Sequence, residues 1–237
     1  MKNKQFRLIL TPRNNAKINM AIDNAIASSY KENDTPILRF YTWENSFTLG
    51  LSQNFEDYTQ LKEQYNNNCA KRITGGGVLF HGHDLSYSLT IPSSWFKNLS
   101  VKQSYEQICQ FLLHFYKELG FNTCFAKDLE QINLSKNEFC QVGFEAYDII
   151  VNNKKIGGNA QKRSKKMIFQ HGSIPLIKTQ DDDKFGSSLE DFKINLTFKQ
   201  LEEKLISAFE KCFDAKLVLD ELNTIEKEKL NKLLERN

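Results

Sequence analysis

Four stretches of the chain gather residues able to do chemistry. Lys71-Arg72-Ile73-Thr74-Gly75-Gly76-Gly77 runs on to His81, His83 and Asp84. Three successive glycines behind a basic pair bring backbone N–H groups within reach of an anion or a carbonyl oxygen, because no side chain stands in the way. The same glycines equally suit a plain turn between strands, and no Gly-Lys-Ser/Thr follows at the spacing of a Walker A loop. Cys140 to Asp148 supplies a thiol in a polar run ahead of a predicted strand. Lys154-Lys155-Ile156-Gly157-Gly158-Asn159-Ala160-Gln161-Lys162-Arg163 supplies a lysine followed by a second glycine pair, and Gln170-His171-Gly172-Ser173-Ile174 closes the set.

A thiol attacks as its thiolate, and a nearby ammonium both favours that form and donates to an acyl oxygen as negative charge builds there. The tight turn expected at Asn152-Asn153 makes a hairpin that returns Lys155 towards Cys140, so the two form a candidate nucleophile and electrostatic helper. Cysteine is more often a small buried hydrophobe and lysine a solvated surface charge. Cys69, Cys109, Cys124 and Cys212 take that ordinary reading. His81, His83 and His171 fit either a base or a structural hydrogen-bonding role, and His114, on a helix, reads as structural. No Ser-His-Asp arrangement stands out, Asp181-Asp182-Asp183 reads as a solvated loop, and five dispersed cysteines without a Cys-x-x-Cys pair argue against a disulfide framework or a metal site.

The elements that must position these groups follow from periodicity. Ile18, Ala21, Ile22, Ala25 and Ile26 recur at helical spacing and predict a helix from about Ile18 to Tyr30. Ile37–Tyr41 and Phe47–Leu51 read as a pair of strands, with a further strand at Leu85–Ile91. Tyr105, Ile108, Leu112, Phe115 and Leu119 predict a helix from Val101 to Leu119 that stops at Gly120. Ala146–Val151 reads as a strand, Met167–Gln170 and Ser173–Ile177 as sheet continuations, and Thr197 with Gln200 as a capping box opening a helix with Leu201, Leu205, Phe209 and Cys212 on one face. Leu222–Glu235 predicts a final surface helix. Strands and helices mixed without regular alternation indicate an α+β or mixed α/β fold rather than a barrel or doubly wound sheet.

Composition bounds the rest. With 237 residues, 40% of them hydrophobic and 26% charged, the chain is globular rather than disordered. A net charge of +3 lacks the basic excess of a dedicated nucleic-acid binder, so no nucleic acid is expected as partner. No apolar run nears the ~18 residues that span a bilayer, and the start is too polar for a signal peptide, which argues against a membrane and for the cytoplasm. No repeat or low-complexity linker marks a boundary, so a single domain is expected over residues 1–237, with 195–237 forming C-terminal helices.

Taken together and in order, Arg72-x-Thr-Gly-Gly-Gly-x-x-x-His81, Lys155-x-Gly-Gly-x-Ala-Gln-x-Arg163 and Gln170-His171-Gly172-Ser173-Ile174 resemble the biotinyl/lipoyl protein ligase catalytic domain, in its lipoate ligase and octanoyltransferase branch. Asn19-Met20-Ala21-Ile22-Asp23 and Leu38-Arg39-Phe40-Tyr41-x-Trp43 match the opening of that family. The resemblance implies a central mixed, largely antiparallel sheet flanked by helices. It is nearest to the cysteine-dependent octanoyltransferases, in which the nucleophile precedes a Tyr-Glu-like strand and the lysine follows on the return of a hairpin. Cys140, Tyr147-Asp148 and Lys155 fall at matching places.

By that resemblance Cys140 and Lys155 are the catalytic pair, and Arg72, Gly75, Gly76, Gly77, His81, Tyr87, Gly157, Gly158, Ala160 and His171 bind substrate, with Tyr41 and Trp43 lining an acyl slot. The implied donor is acyl carrier protein, and the implied acceptor is a lipoyl domain or the glycine cleavage H protein, with Lys71, Arg72, Lys162 and Arg163 as candidates for that encounter and a monomer as the working form. A transferase of this kind needs no cofactor; the alternative, a ligase, would consume ATP with magnesium. The missing Gly-Arg-Asn-Asp segment and the lack of room for an accessory C-terminal domain favour the transferase. Two further alternatives are an amidotransferase moving octanoyl between lipoyl domains and a silent acyl-binding module.

Overall fold

The computed structural model describes residues 4–129, 145–179 and 186–235. The first strand, β1 (Lys4–Asn14), turns at Asn15 into helix α1 (Ala16–Ser29), whose N-terminus is capped by the Asn15 side chain accepting from the Ile18 N–H. Strands β2 (Ile37–Trp43) and β3 (Ser46–Leu49) follow, then helix α2 (Thr59–Gln64), β4 (Cys69–Lys71), β5 (Leu79–His81) and β6 (Asp84–Pro92). Helix α3 (Val101–Glu118) opens with a Ser100/Gln103 capping box, and the chain leaves it at Gly120, whose φ of +87° suits glycine. Strands β7 (Thr123–Phe125), β8 (Ile149–Val151), β9 (Lys154–Lys155), β10 (Gly158–Arg163) and β11 (Met167–Pro175) come next, and α4 (Phe198–Phe213), β12 (Ala215–Asp220) and α5 (Thr224–Glu235) complete the described chain.

Six strands form the main sheet in the order β10-β11-β6-β2-β1-β12. Its first four strands are antiparallel neighbours, while β1 runs parallel to both β2 and β12. The sheet is mixed and largely antiparallel with helices on its faces, the α+β arrangement that the sequence predicts. Period-two alternation sorts the side chains. Phe6, Leu8, Leu38, Phe40, Leu85, Leu89 and Ile91 join α3 and α4 in the larger apolar core, while Ile9, Ile37, Met167 and Phe169 meet α1 on the other side.

Several sequence expectations are corrected. The segments at 37–41 and 47–51 do not pair with each other: β2 is buried on both faces between β1 and β6, and β3 belongs to a separate three-stranded sheet, β4-β3-β5. The strand expected over Ala146–Val151 begins only at Ile149, because the Asp148 N–H bonds the Glu145 carbonyl in a turn. Met167–Gln170 and Ser173–Ile177 are one strand running through His171 and Gly172. The hairpin at Asn152-Asn153 is present, with both residues left-handed at φ 46° and 67°, as a two-residue turn of this type requires. Asp181-Asp182-Asp183 lies outside the described residues.

The C-terminal segment is more than two helices, since β12 extends the main sheet along β1. Arg7 ties it down: its guanidinium donates to Glu226 at 2.7 and 3.0 Å, to Asp220 at 2.5 Å and to the Glu221 carbonyl at 2.6 Å. Glu226 is itself buried, so helix α5 is anchored by a charge whose hydration is replaced by Arg7 and by the Asn223 N–H at 2.8 Å. Replacing Arg7 by alanine is expected to cost roughly 2–3 kcal/mol. Hydrogen exchange checks the mechanism, since protection should fall in residues 215–235 and persist in α3 and β6; uniform loss would argue against this local anchor.

Candidate active site

The site is built on the α1-facing side of the sheet, where buried polar residues stand alongside the apolar cluster that meets α1. Asp23 of α1 is 1% exposed and receives Arg39 Nη1 at 2.6 Å, the Tyr41 hydroxyl at 2.8 Å and the Ser88 hydroxyl at 2.8 Å. Burial works to raise the Asp23 carboxyl, but Arg39 and His171 outweigh it and hold the group below the usual carboxylate range. Asp84, at the start of β6, accepts from the Ser173 hydroxyl at 2.7 Å and from the Ser86 hydroxyl at 3.1 Å, with His81 Nδ1 also at 3.1 Å. Burial again opposes ionisation, yet the facing histidine and these hydrogen bonds bring Asp84 down to about 2.

Each carboxylate works through a histidine onto the glycine segment. His171 directs Nδ1 at Asp23 Oδ2, 3.6 Å away, and Nε2 lies 2.7 Å from the Thr74 hydroxyl. Burial lowers the His171 pKa more than Asp23 raises it, so the ring is neutral near pH 7, with Nδ1–H facing the carboxylate and Nε2 accepting from Thr74. His81 stacks on Trp43 with ring centroids 3.7 Å apart, and its Nε2 meets the Thr48 hydroxyl at 2.9 Å. Thr48 in turn accepts from Arg72, whose guanidinium also donates to the carbonyls of Thr48, Gly75 and Gly77.

Arg72 is therefore the internal brace of the loop. It is 3% exposed, which corrects its assignment to a docking surface; Lys71 and Lys162 are exposed and Arg163 is half-buried. Gly76 has φ +104°, and its carbonyl packs against Gly50, where an added Cβ would come within 1.9 Å of that oxygen.

Beside this loop lies a cavity of about 450 Å³, in the range that takes a small ligand. Its walls bring together Arg72, Gly75, Gly76, Gly77, His81, Lys155, Gly158, Ala160 and His171 of the sequence-predicted set, with Tyr41 and Trp43 at the buried end. Tyr87 and Gly157 are not in its lining. Tyr87 lies behind Gly172, and Gly157, at φ +66°, is pressed against the Ser173 carbonyl, where a Cβ would approach to 2.0 Å. Cys140 lies outside the described residues.

Met20, Tyr105 and Tyr147 also line the cavity, and sequence reasoning assigned them no part in the slot. Tyr105 sits on the core-facing stripe of α3, so its periodicity alone made it a packing residue. Lys155 is 7% exposed rather than a solvated surface lysine, and its Nζ meets Asp148 Oδ2 at 2.6 Å. Burial pushes the Asp148 carboxyl up, and Lys155 offsets part of that rise. Asp148 also accepts from the Glu145 N–H at 2.7 Å, holding the chain entering the cavity to the lysine. A buried lysine in the wall of a cavity is suited to meeting developing negative charge. Among the described residues no group of three or more His, Cys, Asp or Glu side chains could hold a metal ion, and no helix is long and apolar enough to cross a membrane.

A slot of this kind, walled by a glycine loop and holding a buried lysine, defines a group-transfer enzyme domain. The pattern of the lipoyl protein ligase A/B catalytic domain matches residues 15–197, and the chain belongs to that family. Octanoyltransferase LipM of Clostridioides difficile (strain 630) is 30% identical over 261 residues, covering 98% of this chain and 96% of the relative. The structure of a lipoate-protein ligase A bound with ATP has TM-score 0.82 at 20% identity, covering 98% of this chain and 95% of that one. A bipartite lipoate protein ligase of Thermoplasma acidophilum, from a study that includes its E2 lipoyl domain, has TM-score 0.75 at 18% identity, covering 99% and 94%. At such identities the solved structures carry the fold alone. The family and its curated relatives make this chain an enzyme of the acyltransferase class, and they support a role in protein lipoylation.

The lowered pKa of His171 has a consequence for stability. The unfolded chain takes up a proton as pH falls through about 6.5, whereas the folded chain resists until a lower pH, so stability declines with acidification below that point. Urea denaturation over a pH series is expected to show this slope, and His171→Gln should flatten it. An unchanged slope in the variant would assign the proton uptake elsewhere.

Proposed function

We propose that the protein is an octanoyltransferase that moves an octanoyl group from acyl carrier protein through a Cys140 thioester to the lysine of a lipoyl domain. The observation that carries this reading is the buried Lys155–Asp148 pair in the wall of the cavity, joined through Asp148 to Glu145. Cys140 stands five residues before Glu145, an interval that extended chain spans in about 17 Å. Family membership and the similarity to Octanoyltransferase LipM support the acyl group and the acceptor class.

In the first step the Cys140 thiolate adds to the carbonyl carbon of the donor thioester, and collapse breaks the donor C–S bond, the donor sulfur leaving as a thiolate that takes up the proton Cys140 gave to solvent. In the second, the acceptor amine takes the acyl group from Cys140. Lys155 meets the negative charge that builds on sulfur and then on the carbonyl oxygen. Each methylene placed in the slot contributes about 0.8 kcal/mol, so the depth of a slot lined by the buried Tyr41 and Trp43 sets the preferred chain length. Thioester exchange is close to isoenergetic and amide formation drives the second step, so no ATP is required. The acceptor is a lipoyl domain or the glycine cleavage H protein, and the protein acts as a monomer in the cytoplasm.

Intact-mass spectrometry tests the assignment. Incubation with octanoyl-acyl carrier protein, without ATP, is expected to add one octanoyl group to the wild type and none to Cys140→Ser. Absence of the adduct, with acylation of a lipoyl domain appearing only when free octanoate or lipoate is supplied with ATP and magnesium, would overturn the transferase reading in favour of a ligase.

A further inference from the structure

We infer that Asn159 is a further catalytic residue, its side-chain amide Nδ2 donating to the acyl carbonyl oxygen as that oxygen becomes negative. The inference rests on the acyl-transfer reading of the cavity. Addition of the acceptor amine to a thioester carbon forms a C–N bond and moves the carbonyl π pair onto oxygen. Collapse returns that pair and breaks the C–S bond, and the amine's proton leaves with the sulfur as a thiol. Both stages need donors fixed at the oxygen.

Asn159 lines the cavity from the edge strand β10, close in sequence to Lys155 and directly after Gly158. Its amide is oriented from behind. The Tyr87 hydroxyl donates to Asn159 Oδ1 at 2.8 Å, across Gly172, where any Cβ would fall 2.0 Å from that same oxygen and 2.6 Å from the Tyr87 ring. A glycine at 172 is what allows the two side chains to meet.

The direction of the bond is set by a relay of donors. Arg163, which can only donate, gives Nη1–H to Ser104 at 3.4 Å. The Ser104 hydrogen is shared between the Val101 carbonyl at 2.8 Å and Gln161 Oε1 at 3.4 Å. Gln161 Nε2 then donates to Gln170 Oε1 at 3.0 Å, and Gln170 Nε2 donates to the Tyr87 oxygen at 2.8 Å and to Cys109 Sγ at 3.2 Å. The Tyr87 oxygen accepts from Gln170 while its hydrogen goes to Asn159 Oδ1. Amide orientation follows from such a network, and this one leaves Nδ2 as the group Asn159 offers the cavity. The relay also gives Tyr87, which lies outside the lining, a positioning role. Burial keeps the Tyr87 hydroxyl and the Cys109 thiol protonated, with Cys109 pushed up to about 12.

Asn159→Asp is isosteric, still accepts from Tyr87 and offers the cavity only an acceptor. Single-turnover acyl transfer to a lipoyl domain is expected to slow about 100-fold or more in Asn159→Asp and Asn159→Ala, with the affinity for free octanoate, by calorimetry, within about threefold. Tyr87→Phe, which removes only the relay's last donor, should lose less, about tenfold, through kcat rather than KM. The full chain is used, with thermal melting as the folding control. If the wild type acylates a lipoyl domain only from free acid and ATP, the donor reading fails, and the same variants are compared in that reaction, whose carbonyl passes through the same oxyanion. Transfer by Asn159→Asp within threefold of wild type, from whichever donor is active, would overturn the role of Asn159, because an acceptor there would then serve as well as a donor.

Discussion

Two carboxylates without access to water govern the architecture of this protein. Burying an ionised group is costly unless hydrogen bonds and opposite charge replace its hydration, and Asp23 and Asp84 obtain that replacement from side chains of four strands, β2, β5, β6 and β11. Arg39, Tyr41 and Ser88 converge on Asp23, while His81, Ser86 and Ser173 converge on Asp84. Satisfying them fixes the register of β2, β6 and β11 relative to α1, since a one-residue slip would turn these donors to the opposite face. Full satisfaction also explains how one face of the sheet can be polar inside a closed core.

The same network shapes the site above it. Through His171 to Thr74, and through His81 and Thr48 to Arg72, the buried charges hold a loop that three glycines would otherwise leave with many conformations. Arg72 occupies carbonyls of that loop, so its rigidity is a property of the interior rather than of the loop's own sequence. The opposite wall is fixed differently, by the Lys155–Asp148 pair and by an amide and phenol relay reaching Tyr87. A preorganised polar rim around an apolar slot is the arrangement that acyl transfer exploits, because charge appears on one oxygen while the chain remains buried.

Much of this was legible in the residues. The capping box at Thr197 and the Asn152-Asn153 turn are local features, decided within a few residues of chain, and the structure contains both. The helix over Ala16–Ser29 and the one over Val101–Glu118 follow from period alone. The glycine and lysine motifs were likewise visible, because glycine and charged residues in that density are uncommon in plain packing segments. Strands β1, β10 and β12 were not seen. β10 is polar along its length and shows no alternation, while β1 and β12 are made strands by pairing with each other from opposite ends of the described chain.

What the sequence by itself determined was the set of chemical groups, the local turns and caps, and the family to which they belong, since these depend on residue type and short spacing. Only the tertiary structure decided which groups meet. Arg72, expected both in the site and on a docking surface, is a buried brace; Tyr87, expected in the wall of the slot, stands behind it; and Lys155, expected beside Cys140, meets Asp148 in a buried pair. The reason is physical: burial and hydrogen-bond partnership arise from segments brought together over tens of residues, and no local spacing encodes which of them will exclude water.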